Sequence, residues 1–125
     1  MVYFVFRSTA SFCSSLAAGI LIDVDHIFDY YFHWGITLKI KDIYTWCAAR
    51  KYRFVFLFLH SLDLVILLWI TIWFFKLGVF WIAFAIGITQ HMVLDLMFNR
   101  EVIKAPAYFL TFRIIKGFRR EDILK

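Results

Sequence analysis

The chain has 125 residues, 63% of them hydrophobic and 22% aromatic, and a formal net charge of +5 at pH 7. Soluble globular domains contain about 45–50% apolar residues, so this composition argues against a water-soluble fold and indicates a single domain in a lipid environment. The basic residues flank the apolar runs instead of alternating with aromatic residues on one solvated face, which argues against nucleic acid as a partner.

Residues 3–33 are predicted to form the first helix, with Gly35 as its stop. Its second half contains ILIDVDHIFDYYFH at residues 20–33, where three aspartates and two histidines fall within eleven positions. At 3.6 residues per turn, four of these side chains share an arc of about 100° and Asp23 lies about another 60° on. The four are Asp25, His26, Asp29 and His33. The apolar part is short for a bilayer span, so complete crossing of the membrane stays open.

Two long apolar runs follow a basic connection at residues 35–53, in which a short amphipathic helix is predicted over 42–49. The runs cover residues 54–75 and 77–98, each 22 residues without Lys or Arg. A helix of about 20 residues crosses a bilayer, so both runs are predicted to form a transmembrane hairpin that turns near Lys76. Lys and Arg concentrate on the outer flanks, which places those flanks in the cytoplasm.

The C-terminal part is predicted to form an amphipathic helix over residues 105–120. Arg113, Lys116 and Arg120 recur at helical spacing, as in helices that lie on an anionic leaflet. The predicted fold class is therefore all-α, a small integral membrane bundle of about three membrane helices and one interfacial helix. We expect it in the inner, cytoplasmic membrane.

Polar residues of the two apolar runs are predicted to meet at one depth. His60 and Asp63 precede the turn at residue 77 by 17 and 14 residues, and His91 and Asp95 follow it by 14 and 18. Antiparallel helices would bring both pairs roughly 21–27 Å from the turn, near the cytoplasmic surface. Each pair occupies one face of its helix. A lone intramembrane histidine or aspartate is usually structural, but three such patches at one level indicate a site.

Divalent cations are the predicted counter-charge for these acidic groups. A buried carboxylate without a partner costs several kcal/mol, and the apolar runs contain no Lys or Arg. Histidine and aspartate together are ligands that zinc or manganese accepts. The sequence therefore predicts a metal centre.

Three motifs resemble those of the YdjM-like membrane-bound metal-dependent hydrolases, which are grouped with zinc-dependent phospholipase C. The motifs are GILIDVDHIFDYYF, LFLHSLD and GITQHMVLDLMFN. The resemblance covers residues 8–99 and implies a helical fold with two or more divalent ions, zinc or alternatively manganese. Many members have a histidine near the start of the first helix, where this chain has Ser8, Thr9 and Ala10. This departure leaves the metal count open.

The resemblance assigns a role to each motif residue. The implied metal ligands are Asp23, Asp25, His26, His60, His91 and Asp95, and Asp29 and Asp63 are implied as further ligands or catalytic proton acceptors. Ser61 or Asn99 would support the ligands through hydrogen bonds. The expected chemistry is hydrolysis of a phosphoester of a phospholipid or lipid phosphate at the cytoplasmic face.

A non-catalytic metal-binding membrane scaffold or binding protein is the alternative function. A transmembrane conduit is less consistent with the sequence, because residues 65–75 and 79–87 contain almost no polar side chains. The expected partners are membrane lipids and a lipid-phosphate substrate, without nucleic acid. Homo-oligomerisation stays open.

Overall fold

The computed structural model describes residues 8–35, 41 and 54–125. Regular structure in these residues is helical and includes no β-strand, which confirms the all-α fold class. The predicted helix over 42–49 and residues 3–7 of the predicted first helix lie outside the described residues. The α-helices are α1 Thr9–Trp34, α2 Leu62–Phe74, α3 Val79–Phe98, α4 Leu110–Ile115 and α5 Arg120–Ile123, and a 3-10 turn covers Ala105–Tyr108.

The first helix has defined caps at both ends. The Ser8 hydroxyl accepts the Ser11 N–H at 3.3 Å, which satisfies one of the free donors of the first turn. Gly35 ends the helix with φ 80°, and its N–H donates to the carbonyl of Tyr31 at 3.0 Å. Glycine reaches this left-handed conformation without strain. The predicted stop at Gly35 is confirmed.

The predicted helix over residues 54–75 is wrong in its first third, because α2 begins only at Leu62. Residues 54–61, which we call the extended segment, lie against the polar face of α1. The side chains of α1 accept the backbone N–H groups that a helix would have bonded internally. The acceptors are Asp29 for Phe56, Asp25 for Leu59 and His60, and His33 for Phe54.

This late start changes the number of candidate membrane spans. The second helix has 13 residues, which is short of the roughly 20 needed to cross a bilayer. Two described helices are long and apolar enough to cross, at Thr9–His33 and Val79–Phe98. The structure therefore contains two candidate spans in its described residues, where about three had been predicted.

The candidate spans pack side by side and run in the same direction. The Ser14 hydroxyl donates to the carbonyl of Phe80 at 3.1 Å, and further along both helices Asp23 contacts His91. Between these points a Cβ atom on Gly87 would overlap the backbone of Ser15. Glycine at position 87 thus permits the close approach of α1 and α3 on which the site depends.

The C-terminal region is not the single interfacial helix predicted over 105–120. It folds as the 3-10 turn, α4, a turn at Gly117 with φ 62°, and α5. This region covers the extended segment and forms a core with it, composed of Tyr30, Val55, Leu57, Ala107 and Ile123. Arg113, predicted on a lipid-facing basic surface, is 1% exposed. The polar backbone of the extended segment explains why this arginine lies inside.

Candidate metal centre

Four acidic and imidazole side chains from three parts of the chain meet at one point. Asp23 comes from α1, His60 from the extended segment, and His91 and Asp95 from one turn of α3. His60 Nε2 lies 3.7 Å from Asp23 Oδ1 and 3.5 Å from Asp95 Oδ2. His91 Nε2 lies 3.3 Å from Asp23 Oδ1 and 3.6 Å from Asp95 Oδ2. These four belong to the six ligands that the resemblance implies.

These four separations fit a tetrahedral metal ion. Zinc binds nitrogen and oxygen ligands at about 2.0–2.1 Å, so the edges of its ideal ligand tetrahedron are about 3.3–3.4 Å. The four donor-to-donor separations, between 3.3 and 3.7 Å, match four of the six edges. Within this set, His60, His91 and Asp95 form one compact group of potential ligands.

A second group of potential ligands shares Asp23 and His60 with these four residues. It consists of Asp23, His26 and His60, whose ligand atoms lie within 4.8 Å of one another. The rings of His26 and His60 have centroids 4.8 Å apart. His26 Nδ1 is buried and has no hydrogen-bond partner among the described residues. The arrangement thus has donors for one cation and a further imidazole for a second.

The imidazole of His60 lies in surroundings that favour a positive charge. His60 is 5% exposed, and neither of its ring nitrogens has a hydrogen-bond partner in the described part of the chain. Burial lowers the pKa of His60, but the carboxylates of Asp23 and Asp25 and the charge of Asp95 outweigh it and raise this pKa to about 9. The surroundings of His60 therefore favour a positive charge, and metal coordination would satisfy the same field.

The carboxylate of Asp25 lies on the other side of the same imidazole. Asp25 Oδ2 is 3.6 Å from His60 Nδ1, and it accepts the N–H groups of Leu59 and His60. It belongs to neither ligand group. Its position suits a residue that orients the histidine, since metal-binding histidines commonly direct their second nitrogen at a carboxylate.

The aspartate of α3 is also supported by neighbours. Asn99 Nδ2 donates to Asp95 Oδ1 at 3.4 Å, which agrees with the predicted supporting role of Asn99. The Tyr108 hydroxyl donates to the backbone carbonyl of Asp95 at 2.9 Å. Burial and the nearby Asp95 charge raise the pKa of Tyr108 to about 12, so this hydroxyl stays a donor.

Asp29 and Asp63, the expected proton acceptors, take part in other interactions. Asp29 is 1% exposed and both its oxygens accept the Phe56 N–H, at 3.0 and 3.2 Å. Asp63 accepts the Ser61 hydroxyl at 3.2 Å and the Thr111 N–H at 3.2 Å. The structure does not bring either residue into the cluster, and both hold backbone segments in place.

Arg113 supports the site in a way that the sequence analysis missed. Its guanidinium donates to the carbonyls of Phe56 at 2.9 Å, Leu57 at 2.5 Å and His60 at 2.7 Å. These bonds fix the backbone that carries the central histidine. The only sequence cue was the position of Arg113 inside the apolar run LTFRII.

The cluster opens on one side. The Asp23 side chain is 56% exposed, while those of His91 and Asp95 are 21% and 26% exposed. His60 closes the opposite side. A ligand that reached the cluster would therefore approach past Asp23 and His91, between α1 and α3.

Comparison with known proteins returns no match among protein-family models, curated proteins or solved structures. The structure brings together residues from the three sequence motifs. The first contributes Asp23 and His26, the second His60, and the third His91 and Asp95.

Proposed function

We propose that this protein is an integral membrane metalloenzyme that hydrolyses a phosphoester bond of a lipid. The observation that carries the proposal is a set of four carboxylate and imidazole donors with four separations between 3.3 and 3.7 Å. One of the four is the buried His60 imidazole, whose ring nitrogens have no hydrogen-bond partner in the described part of the chain. Two carboxylates and two imidazoles form a ligand set typical of zinc, with manganese as the alternative. The resemblance of the three motifs to membrane-bound hydrolases supports the same reaction.

The apolar surface supports a membrane location. In the most apolar stretches of α1 and α3, only 28% and 22% of the residues are buried, whereas a helix in a soluble core would be mostly buried. Trp73 and Phe98 are 81% and 77% exposed. Such surfaces need an apolar solvent. The basic flanks favour the cytoplasmic side of the inner membrane for the cluster.

The residues of the chain have separable tasks in the proposed reaction. A bound divalent cation would supply a Lewis acid that polarises the phosphoryl group and acidifies water. In hydrolysis, water forms a new bond to phosphorus, the bond to the lipid oxygen breaks, and that oxygen leaves with a proton. His26 adds an imidazole beside these ligands and would transfer this proton in a one-cation centre. In a two-cation centre it would be a ligand.

A structural metal site is the second candidate function. Asp23, His60, His91 and Asp95 supply four protein ligands, which is the closed set of structural zinc sites. The high exposure of Asp23 favours catalysis, because a ligand at the open face can yield its position to substrate. A scaffold would bind metal and lose stability without it, but would release no phosphate.

Elemental analysis of the detergent-purified protein is the first test. We expect about one or two equivalents of zinc or manganese per chain, lost in the double variant His91→Ala with Asp95→Ala. Glu101→Ala is the matched control, because Glu101 is an acidic residue 81% exposed and away from the cluster. A stable wild-type protein without metal would contradict the proposal.

Phosphate release separates the two candidates. Vesicles containing a phospholipid or a lipid phosphate should lose phosphate or headgroup in the presence of the protein, and chelation or His60→Ala should abolish the reaction. Metal binding without any release, over a panel of such lipids, would favour the scaffold. Release that survives chelation would reject the metal mechanism.

A further inference from the structure

A groove on the surface between α1 and α3 leads directly to the metal centre. Its volume is about 330 Å³, and His91 forms part of its wall. A smaller cavity of about 190 Å³ on another face of α1 is lined only by apolar residues and includes none of the cluster side chains. The groove is therefore the one of these two spaces that joins an apolar surface to the donor atoms.

The walls of the groove are apolar and its floor is formed by small residues. Phe12, Leu16 and Ile20 recur along one face of α1 and are 45%, 56% and 63% exposed. Gly19 and Gly87 form the floor. A Cβ atom added to Gly19 would meet nothing within 4 Å, so the absence of a side chain at this position leaves open space.

Polar side chains of α3 also line the groove. Gln90 and His91 line it, and Asp23 follows Gly19 by one helical turn on the same face of α1. From Phe12 to Asp23 the helix rises by about 16 Å, the length of an extended chain of roughly a dozen carbon atoms. The mostly apolar lining and the distance from Phe12 to Asp23 together match a lipid tail whose headgroup lies at the cluster.

We infer that this groove binds a single hydrocarbon chain of the substrate and delivers its phosphate to the cluster from within the bilayer. This inference rests on the proposed function, which identifies the headgroup as a phosphate. The charge of the occupant is complementary, because a cation held at the cluster would attract an anionic head while the apolar walls accept the tail. Both walls belong to candidate membrane spans. Lipid can therefore enter sideways without leaving the membrane.

A pair of leucine substitutions on α1 tests the groove. Gly19→Leu fills the open space on the floor, and Ala17→Leu adds the same side chain at an exposed position that does not line the groove. The probe is a twelve-carbon alkyl phosphonate with a photoreactive diazirine in its chain, presented in nanodiscs. We expect cross-links to Phe12, Leu16 or Leu94 in the wild type and in Ala17→Leu. Labelling of Gly19→Leu should be lower by about tenfold.

Metal content and two hydrolysis assays complete the design. Both variants should keep the wild-type metal content. Gly19→Leu should hydrolyse a twelve-carbon alkyl phosphate about tenfold more slowly than Ala17→Leu, and this difference should be smaller for phenyl phosphate, which has no alkyl tail. Equal labelling of the two variants, or cross-links only outside the groove, would overturn the inference. Groove labelling without any hydrolysis would instead reject the hydrolase, and hydrolysis without groove labelling would reject the groove alone.

Discussion

The buried guanidinium of Arg113 provides the sharpest test of this fold. Its three bonds to the carbonyls of Phe56, Leu57 and His60 are at most 2.9 Å long. Arg113→Met keeps a side chain of comparable length and leaves these carbonyls without their donor. A buried polar group without its partner costs about 1–3 kcal/mol, and imperfect relaxation around three of them gives about 3–5 kcal/mol in total.

Thermal unfolding in detergent measures this loss. A change of 3–5 kcal/mol should lower the unfolding midpoint by more than about 10 °C for a chain of this size. Arg119→Met is the matched control, because Arg119 is 67% exposed and its contact with Glu121 is 4.0 Å long. The control should shift the midpoint by no more than about 2 °C. Equal midpoints for the two variants would refute the buried position of Arg113 and would favour the predicted lipid-facing helix over residues 105–120.

Three further predictions concern packing, ligand support and pH. Gly87→Ala should destabilise the protein by about 1–3 kcal/mol through overlap between α1 and α3, while Gly19→Ala should not; equal unfolding midpoints would contradict this contact. Asn99→Ala should weaken zinc binding about 10–100-fold, because Asp95 loses its donor; unchanged affinity in competition with a chelator would exclude that role. The pKa of His60 near 9 means that zinc must displace its proton at neutral pH. Zinc affinity should therefore rise about tenfold from pH 7 to pH 8, with about one proton released in calorimetry; a flat pH profile would contradict it.

The helical parts of the site were predictable from local sequence. The apolar run at residues 77–98 has the length and character of a membrane span. It forms α3, on which His91 and Asp95 are one turn apart. Gly35 ends α1 because glycine accepts a positive φ. These features depend on spacing and intrinsic preference, which a single sequence contains.

The extended segment was not predictable in the same way. Residues 54–61 are as apolar as the helix that follows, and local preference alone favours one continuous helix. The segment is not helical because Asp25 and Asp29 accept its N–H groups and Arg113 donates to its carbonyls. These partners lie more than 25 positions away in the chain, so hydrophobic periodicity contains no trace of them.

The extended segment also explains why so many aspartates lie in an apolar chain. On a continuous helix, the N–H groups around His60 would be bonded internally, and Asp25 would have no backbone donor to hold. With the segment extended, Asp25 and Asp29 bind backbone while Asp23 and Asp95 stay available to the imidazoles. Two acidic residues of α1, Asp25 and Asp29, thus bind the backbone of the segment that carries His60. The third, Asp23, lies at the open side of the cluster. Because Asp25 and Asp29 already accept backbone hydrogen bonds, the groups left to bind a cation are the imidazoles and the carboxylates of Asp23 and Asp95.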